Sequence, residues 1–124
     1  MKKLKIKVSF RDNRGLIIDL LEKKRINAIT YITQKKGKIR GNHFHKKTIQ
    51  WNYLIKGKVK IVAKKFNKNI KERILLKGDL VVTEAKESHA IIALKDSEYL
   101  VFTQGPRGGK EYENDTFRLQ IPLI

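Results

Sequence analysis

Residues 37–57 read Gly37-KIRGN-His43-Phe44-His45-KKTI-Gln50-WNYLIK-Gly57. His43 and His45 lie two positions apart in a segment, 39–45, whose pattern predicts a β-strand. Successive side chains of a strand alternate between faces, so both imidazoles project from the same one. A pair so placed can converge on a single atom. The next predicted strand, 49–56, carries Gln50, Trp51 and Tyr53 and turns at Gly57. These three residues are assigned to the same pocket.

Working outward, period-two alternation recurs on both sides. Leu4, Ile6 and Val8 alternate with Lys5, Lys7 and Ser9, which predicts an N-terminal strand over 2–10. Val59, Ile61 and Ala63 alternate in the same way. Further strands are expected at 27–34, 70–76, 79–83, 89–94, 98–104 and 117–121, with turns at 66–69 and 95–97. Many short strands at this spacing imply an all-β sandwich or barrel. The segment 16–24, LIIDLLEKK, suits either a short helix or a strand with a turn. No Pro/Gly/Ser-rich linker divides the chain, so residues 1–124 are expected to form one domain.

Composition narrows the chemistry. Cysteine is absent, which excludes disulfides, thiolate metal sites and cysteine nucleophiles; any metal must use His, Gln or carboxylates. The net charge of +17 attracts polyanions. The lysines nevertheless alternate with apolar residues, as on solvent faces of strands, and nucleic acid is disfavoured as a partner. The Lys/Ile-rich, Gln/Met-poor balance fits a thermophile. No apolar run is long enough to span a bilayer, and the N-terminal MKKLKIKVSF lacks the apolar stretch of a signal peptide. A cytoplasmic, non-membrane protein is expected.

All three histidines fall in two short segments, the third being His89 after a turn-like 84–88. His43, His45 and His89 with the Gln50 side-chain oxygen form a plausible set for a divalent metal such as Zn, Ni, Fe or Mn. Neutral imidazoles are required for that role, so metal affinity is expected to fall below about pH 6.

The two segments resemble the motifs of the cupin superfamily. The first cupin motif, G-x5-H-x-H, three or four residues, E-x6-G, is matched at every spacing by residues 37–57, with Gln50 in the place of Glu. The second, G-x5-P-x-G-x2-H-x3-N, is matched in spacing by residues 78–93, with Gly78 and His89 retained and Glu84, Lys86 and Ala93 replacing Pro, Gly and Asn. The resemblance implies a double-stranded β-helix, the cupin jelly-roll barrel. Within the superfamily, Arg40-Gly41-Asn42-His43-Phe44 is similar to the R-G-x-H-F/Y segment of dTDP-4-dehydrorhamnose 3,5-epimerases, and Asp12-Asn13-Arg14-Gly15 to their D-x-R-G segment. Residues 40–47 also resemble the R-G-x-H-A-H-K pattern of dTDP-sugar 3,4-ketoisomerases, which use two histidines without a metal. His45 stands where the epimerases have Gln, and Phe44 where the ketoisomerases have Ala.

What the resemblance implies is a sugar-nucleotide isomerase or epimerase that abstracts a proton next to a keto group and requires no cofactor. His43 is then the base, and His45, Tyr31 or Tyr53 donates to the enolate or reprotonates carbon. Arg14 and Arg40 bind the diphosphate. In the tail 102–117, Arg107, Tyr112 and Asp115 supply phosphate-binding and acid–base types. That stretch reads either as a loop folding over the pocket or as a surface loop ending in an edge strand. The alternatives are a metal-dependent cupin or a non-catalytic small-molecule-binding one. A homodimer is expected, with strand 2–10 as the paired edge.

Overall fold

The alternating segments fold into two five-stranded antiparallel sheets in the computed structural model, which describes residues 1–124. In chain order the strands are β1 (Lys2–Leu4), β2 (Val8–Asp12), β3 (Gly15–Ile18), β4 (Ala28–Gln34), β5 (Ile39–His45) and β6 (Ile49–Lys56). After Gly57 follow β7 (Lys58–Lys64), β8 (Lys71–Leu76), β9 (Leu80–Thr83), β10 (Ser88–Ala93) and β11 (Ser97–Gln104). A short helix α1 (Gly109–Asn114) and β12 (Thr116–Arg118) close the sequence of elements. One sheet has the order β1-β9-β6-β11-β4 and the other β12-β5-β10-β7-β8. This is the cupin jelly roll.

The core lies between the sheets. Leu54, Val81, Tyr99 and Val101 from the first meet Val59, Ile61, Ile91 and Ala93 from the second. Each large aliphatic side chain buried there stabilises the fold by about 1.5–3 kcal/mol. Parity along the strands decides what else points inward: in β6, Gln50, Asn52 and Leu54 face the interior, whereas Trp51 and Tyr53 face outward. The outer cluster of Trp51, Leu80 and Val82 is roofed by Leu4, Ile6, Leu21 and Ile26 of the N-terminal segment.

Three expectations change in detail. The strand expected at 2–10 is two strands, β1 and β2, because Leu4 and Ile6 turn onto the outer cluster. The ambiguous 16–24 contains β3 and no helix: Gly15–Ile18 pairs with β2, Lys23 takes a φ of 55°, and Leu21 covers the outer face. The last strand ends at Arg118, beyond which the backbone N–H of Leu119 donates to Asn42.

Candidate functional site

β5 and β10 are neighbours, and His43 sits directly opposite His89 in their register. A bulge between His89 and Ala90 brings the strands close at Gly41, where a β-carbon would lie 2.8 Å from the His89 carbonyl oxygen. Gly41 also has a φ of 93°, so a side chain there is excluded by both space and backbone. The result is a cluster of three imidazoles, with ring centroids 4.7 Å apart for His43 and His45, 4.8 Å for His43 and His89, and 5.5 Å for His45 and His89.

Two of the tautomers follow from hydrogen bonding. His45 Nδ1 donates to the Asp115 carbonyl oxygen at 3.1 Å and His89 Nδ1 to that of Glu87 at 3.1 Å; a carbonyl can only accept, so both rings keep their lone pair on Nε2. His43 Nδ1 and His45 Nε2 are buried without partners. Burial, then the neighbouring histidines, pushes His89 down to about 3; burial, His45 and Arg118 push His43 down to about 4. His45 is also lowered by burial, against the opposing effect of the Asp115 carbonyl. All three are neutral at pH 7.

A cleft of about 480 Å³ opens in front of His43. Gln50 and Asn52 of β6 form one wall, and Arg40, Arg107 and Arg118 bring three guanidinium groups with no carboxylate among the lining residues. The remaining wall is the 105–116 segment. Asn27 anchors its start by hydrogen bonds to both backbone groups of Gly105. Asp115 anchors its end, its carboxylate accepting from the Lys46 and Lys47 N–H groups at 3.1 Å and from the Thr48 hydroxyl at 2.7 Å. Tyr112 is thereby held with its ring 5.3 Å from that of His45, and the Arg107 guanidinium lies 4.4 Å over the Tyr112 ring.

The structure thus brings together His43, His45, His89, Gln50, Arg40 and Arg107. It separates four other expected residues. Trp51 and Tyr53 face the outer cluster, because a strand that turns Gln50 inward turns its odd-numbered neighbours outward. Tyr31 is exposed on the outer face of β4, bonded to Glu98. Arg14 lies in the β2–β3 turn, paired with Asp12 at 2.6 Å. Within the single chain Tyr31, Tyr53, Trp51 and Arg14 therefore lie outside the lining of this cleft. Of the two readings of the tail, the one that folds it over the pocket describes the structure. Tyr112, Asn52 and Arg118 join the lining; parity with Gln50 points to Asn52, while nothing local in the sequence points to Arg118.

The donor set also suits a divalent cation. One nitrogen from each of His43, His45 and His89 lies within 4.8 Å of the others, and the unpartnered nitrogens carry available lone pairs. Two tautomers are fixed by carbonyls, the usual outer-shell arrangement for imidazole ligands.

Fold and site together define a cupin with an imidazole cluster beside an arginine-lined cleft. The chain belongs to the polysaccharide biosynthesis C-terminal domain family, which it matches over residues 10–117. Among solved structures it is similar to a 3,4-ketoisomerase from Helicobacter canadensis, with 26% identity and a TM-score of 0.79 over 94% of this chain and 89% of that one. It is also similar to a sugar 3,4-ketoisomerase from Thermoanaerobacterium thermosaccharolyticum in complex with TDP, with 23% identity and a TM-score of 0.77 over 96% and 88%. A dTDP-4-dehydrorhamnose 3,5-epimerase from Sulfolobus tokodaii shares the fold at 18% identity and a TM-score of 0.70 over 86% and 70%. No curated protein matches the sequence. No helix is long and apolar enough to cross a membrane.

Proposed function

We propose that the protein is a sugar-nucleotide isomerase or epimerase acting on a keto-sugar by proton abstraction beside the carbonyl. The observation that carries this reading is the neutral, partly unpartnered His43 in a cleft lined by three arginines and no carboxylate. The similar ketoisomerases, one of them in complex with TDP-4-keto-6-deoxyglucose, support the substrate class.

Arg40, Arg107 and Arg118 suit a diphosphate, whose oxygens accept paired hydrogen bonds from a planar guanidinium. Bound there, the dianion adds negative charge beside His43 and raises its proton affinity from the low value of the free protein toward the range a general base needs. His43 takes the proton from the carbon next to the carbonyl, and the electron pair of that C–H bond moves onto the carbonyl oxygen. Tyr112 is the phenol in the cleft that can donate to this oxygen. Return of a proton to the neighbouring former carbonyl carbon moves the ketone, the former carbonyl oxygen keeping the proton it has accepted while the hydroxyl on the first carbon gives up its own and becomes the new carbonyl; return to the original carbon from the opposite face inverts it.

A second reading is favoured by the imidazole geometry: a divalent metal held by His43, His45 and His89 with Gln50. It would supply a Lewis acid for a carbonyl oxygen. Elemental analysis of the native protein beside a His45→Ala, His89→Ala variant tests it.

The hairpin β2–β3 hydrogen-bonds to neither large sheet and exposes Val8, Phe10, Leu16 and Ile17. An isolated hairpin is marginally stable, which supports a homodimer in which a second copy covers it. Light scattering giving a monomer mass at micromolar concentration would exclude the dimer. For the reaction, TDP-4-keto-6-deoxyglucose is incubated with the protein in deuterated water and followed by NMR. Enzyme-dependent deuterium at a carbon beside the carbonyl is expected. Absence of exchange with every nucleotide-linked keto-sugar tried would overturn the isomerase reading.

A further inference from the structure

A concavity of about 820 Å³, larger than the arginine cleft, lies apart from it. It lies on the back of the sheet whose front carries the histidines. Phe44 falls between His43 and His45 and so points the other way. Ser88 and Lys64, opposite each other in the register of β10 and β7, share that back face. The turn between β7 and β8 forms one bank and residues 119–123 the other, with Phe44 and Phe117 stacked at 5.2 Å beside it.

Its chemistry is divided. Phe44, Leu119, Pro122 and Leu123 give apolar lining, and Phe66 and Ile121, the two most exposed large hydrophobic residues of the chain at 86% and 84%, stand at its banks. Five lysines also line it, with no carboxylate. Lys65 pairs with Glu84 at 2.9 Å, whereas Lys46, Lys64, Lys68 and Lys86 have no ion-pair partner. Lys86 holds a φ of 65°, the left-handed region that disfavours any residue with a β-carbon, at the position where the cupin motif carries glycine. A lysine stands where glycine would be unstrained.

We propose that this back cleft is a second binding site, for an amphiphilic phosphate: one anionic head group with an apolar chain. A bare polyanion would leave the apolar lining exposed, and a neutral apolar molecule would leave Lys64, Lys68 and Lys86 without a counter-charge, Lys46 being held over the Phe117 ring at 4.4 Å. The second copy proposed above covers the β2–β3 hairpin, which contributes no residue to this cleft. A flat lipid surface would not fill a concavity of this size, which lies within the range of small-molecule sites.

The test is calorimetric titration with octyl and dodecyl phosphate below their micelle concentrations, with saturating dTDP present to occupy the arginine cleft. One equivalent is expected to bind, dodecyl phosphate more than about tenfold tighter than octyl, since full burial of each methylene strengthens binding by about fourfold. Inorganic phosphate and dodecanol should bind at least about tenfold more weakly than dodecyl phosphate. A Lys64→Ser, Lys68→Ser, Lys86→Gly variant should lose about tenfold, while Lys86→Gly alone keeps or raises the melting temperature. The proposal is overturned if Lys5→Ser, Lys7→Ser, Lys95→Ser, on other faces, costs as much, since the general positive field would then explain binding. It is equally overturned if chain length has no effect, or if anionic phosphatidylglycerol vesicles bind and the monomeric amphiphile does not. Because the nucleotide site can be titrated separately with dTDP, loss of either site leaves the other measurable.

Discussion

The carbonyl oxygen of Asp115 accepts the Nδ1–H of His45 at 3.1 Å, across 70 positions of sequence. The same residue's carboxylate holds the turn 46–48. One aspartate therefore fixes a tautomer in the imidazole cluster and closes the wall that carries Tyr112. Asp115→Ala leaves the Lys46 and Lys47 N–H groups without an acceptor and should destabilise the fold by about 2–4 kcal/mol, read by urea denaturation. Its turnover should fall as well, because Tyr112 loses its anchor.

The tyrosines give a second prediction. Tyr112→Phe removes the phenol that faces the cleft and should lower kcat by about 10–10³-fold with KM nearly unchanged, as for a group acting in the transition state. Tyr31→Phe and Tyr53→Phe, on outer faces, should stay within about twofold. Equal losses in all three would disprove the assignment of Tyr112.

His43→Asn should lose about 10²–10⁴-fold in solvent deuterium exchange while dTDP binding is almost unchanged. Arg40→Ala and Arg107→Ala should show the opposite pattern, weaker dTDP binding as the main defect. Undiminished exchange in His43→Asn would eliminate it as the base.

The pH dependence has a definite sign. His43 and His89 are held at about 4 and about 3, below the ordinary 6.5, so at intermediate pH the unfolded chain binds more protons than the native one. Stability is complete above pH 6.5 and is lost progressively as pH falls toward 4 and 3. Thermal melts over this range should show the decline, and His89→Gln should flatten it. The same shift alters the expectation for a metal: all three imidazoles are lowered, so proton competition should set in below the pH 6 that ordinary imidazoles imply. A titration of Zn or Ni against pH measures this.

Gly41→Ala should cost more than the roughly 1 kcal/mol of an ordinary glycine exchange, because the added carbon meets the His89 carbonyl at 2.8 Å. The displacement would fall on the His43–His89 pair, so activity should drop together with the melting temperature.

Much of this site is legible in the amino-acid sequence. The parity of His43 and His45, the turn at Gly57 and the spacing of the motif glycines Gly37 and Gly78 are local properties, and they locate the strands and the imidazoles. Parity also separates residues that proximity in the chain groups together: Gln50 and Trp51, as neighbours on one strand, cannot share a face, which excludes Trp51 and Tyr53 from the cleft and admits Asn52.

By itself, then, the sequence determined an all-β cupin with three histidines drawn together, because strand alternation and motif spacing are written in near neighbours. Only the tertiary structure decided the rest of the site. Arg118 reaches His43 through the pairing of β12 with β5, and Tyr112 reaches His45 through a six-residue helix that buries none of its residues. Such a helix leaves no periodic apolar signature; it is held by Asp115 and Asn27 through hydrogen bonds to distant segments, and contacts of that range have no local trace in the chain.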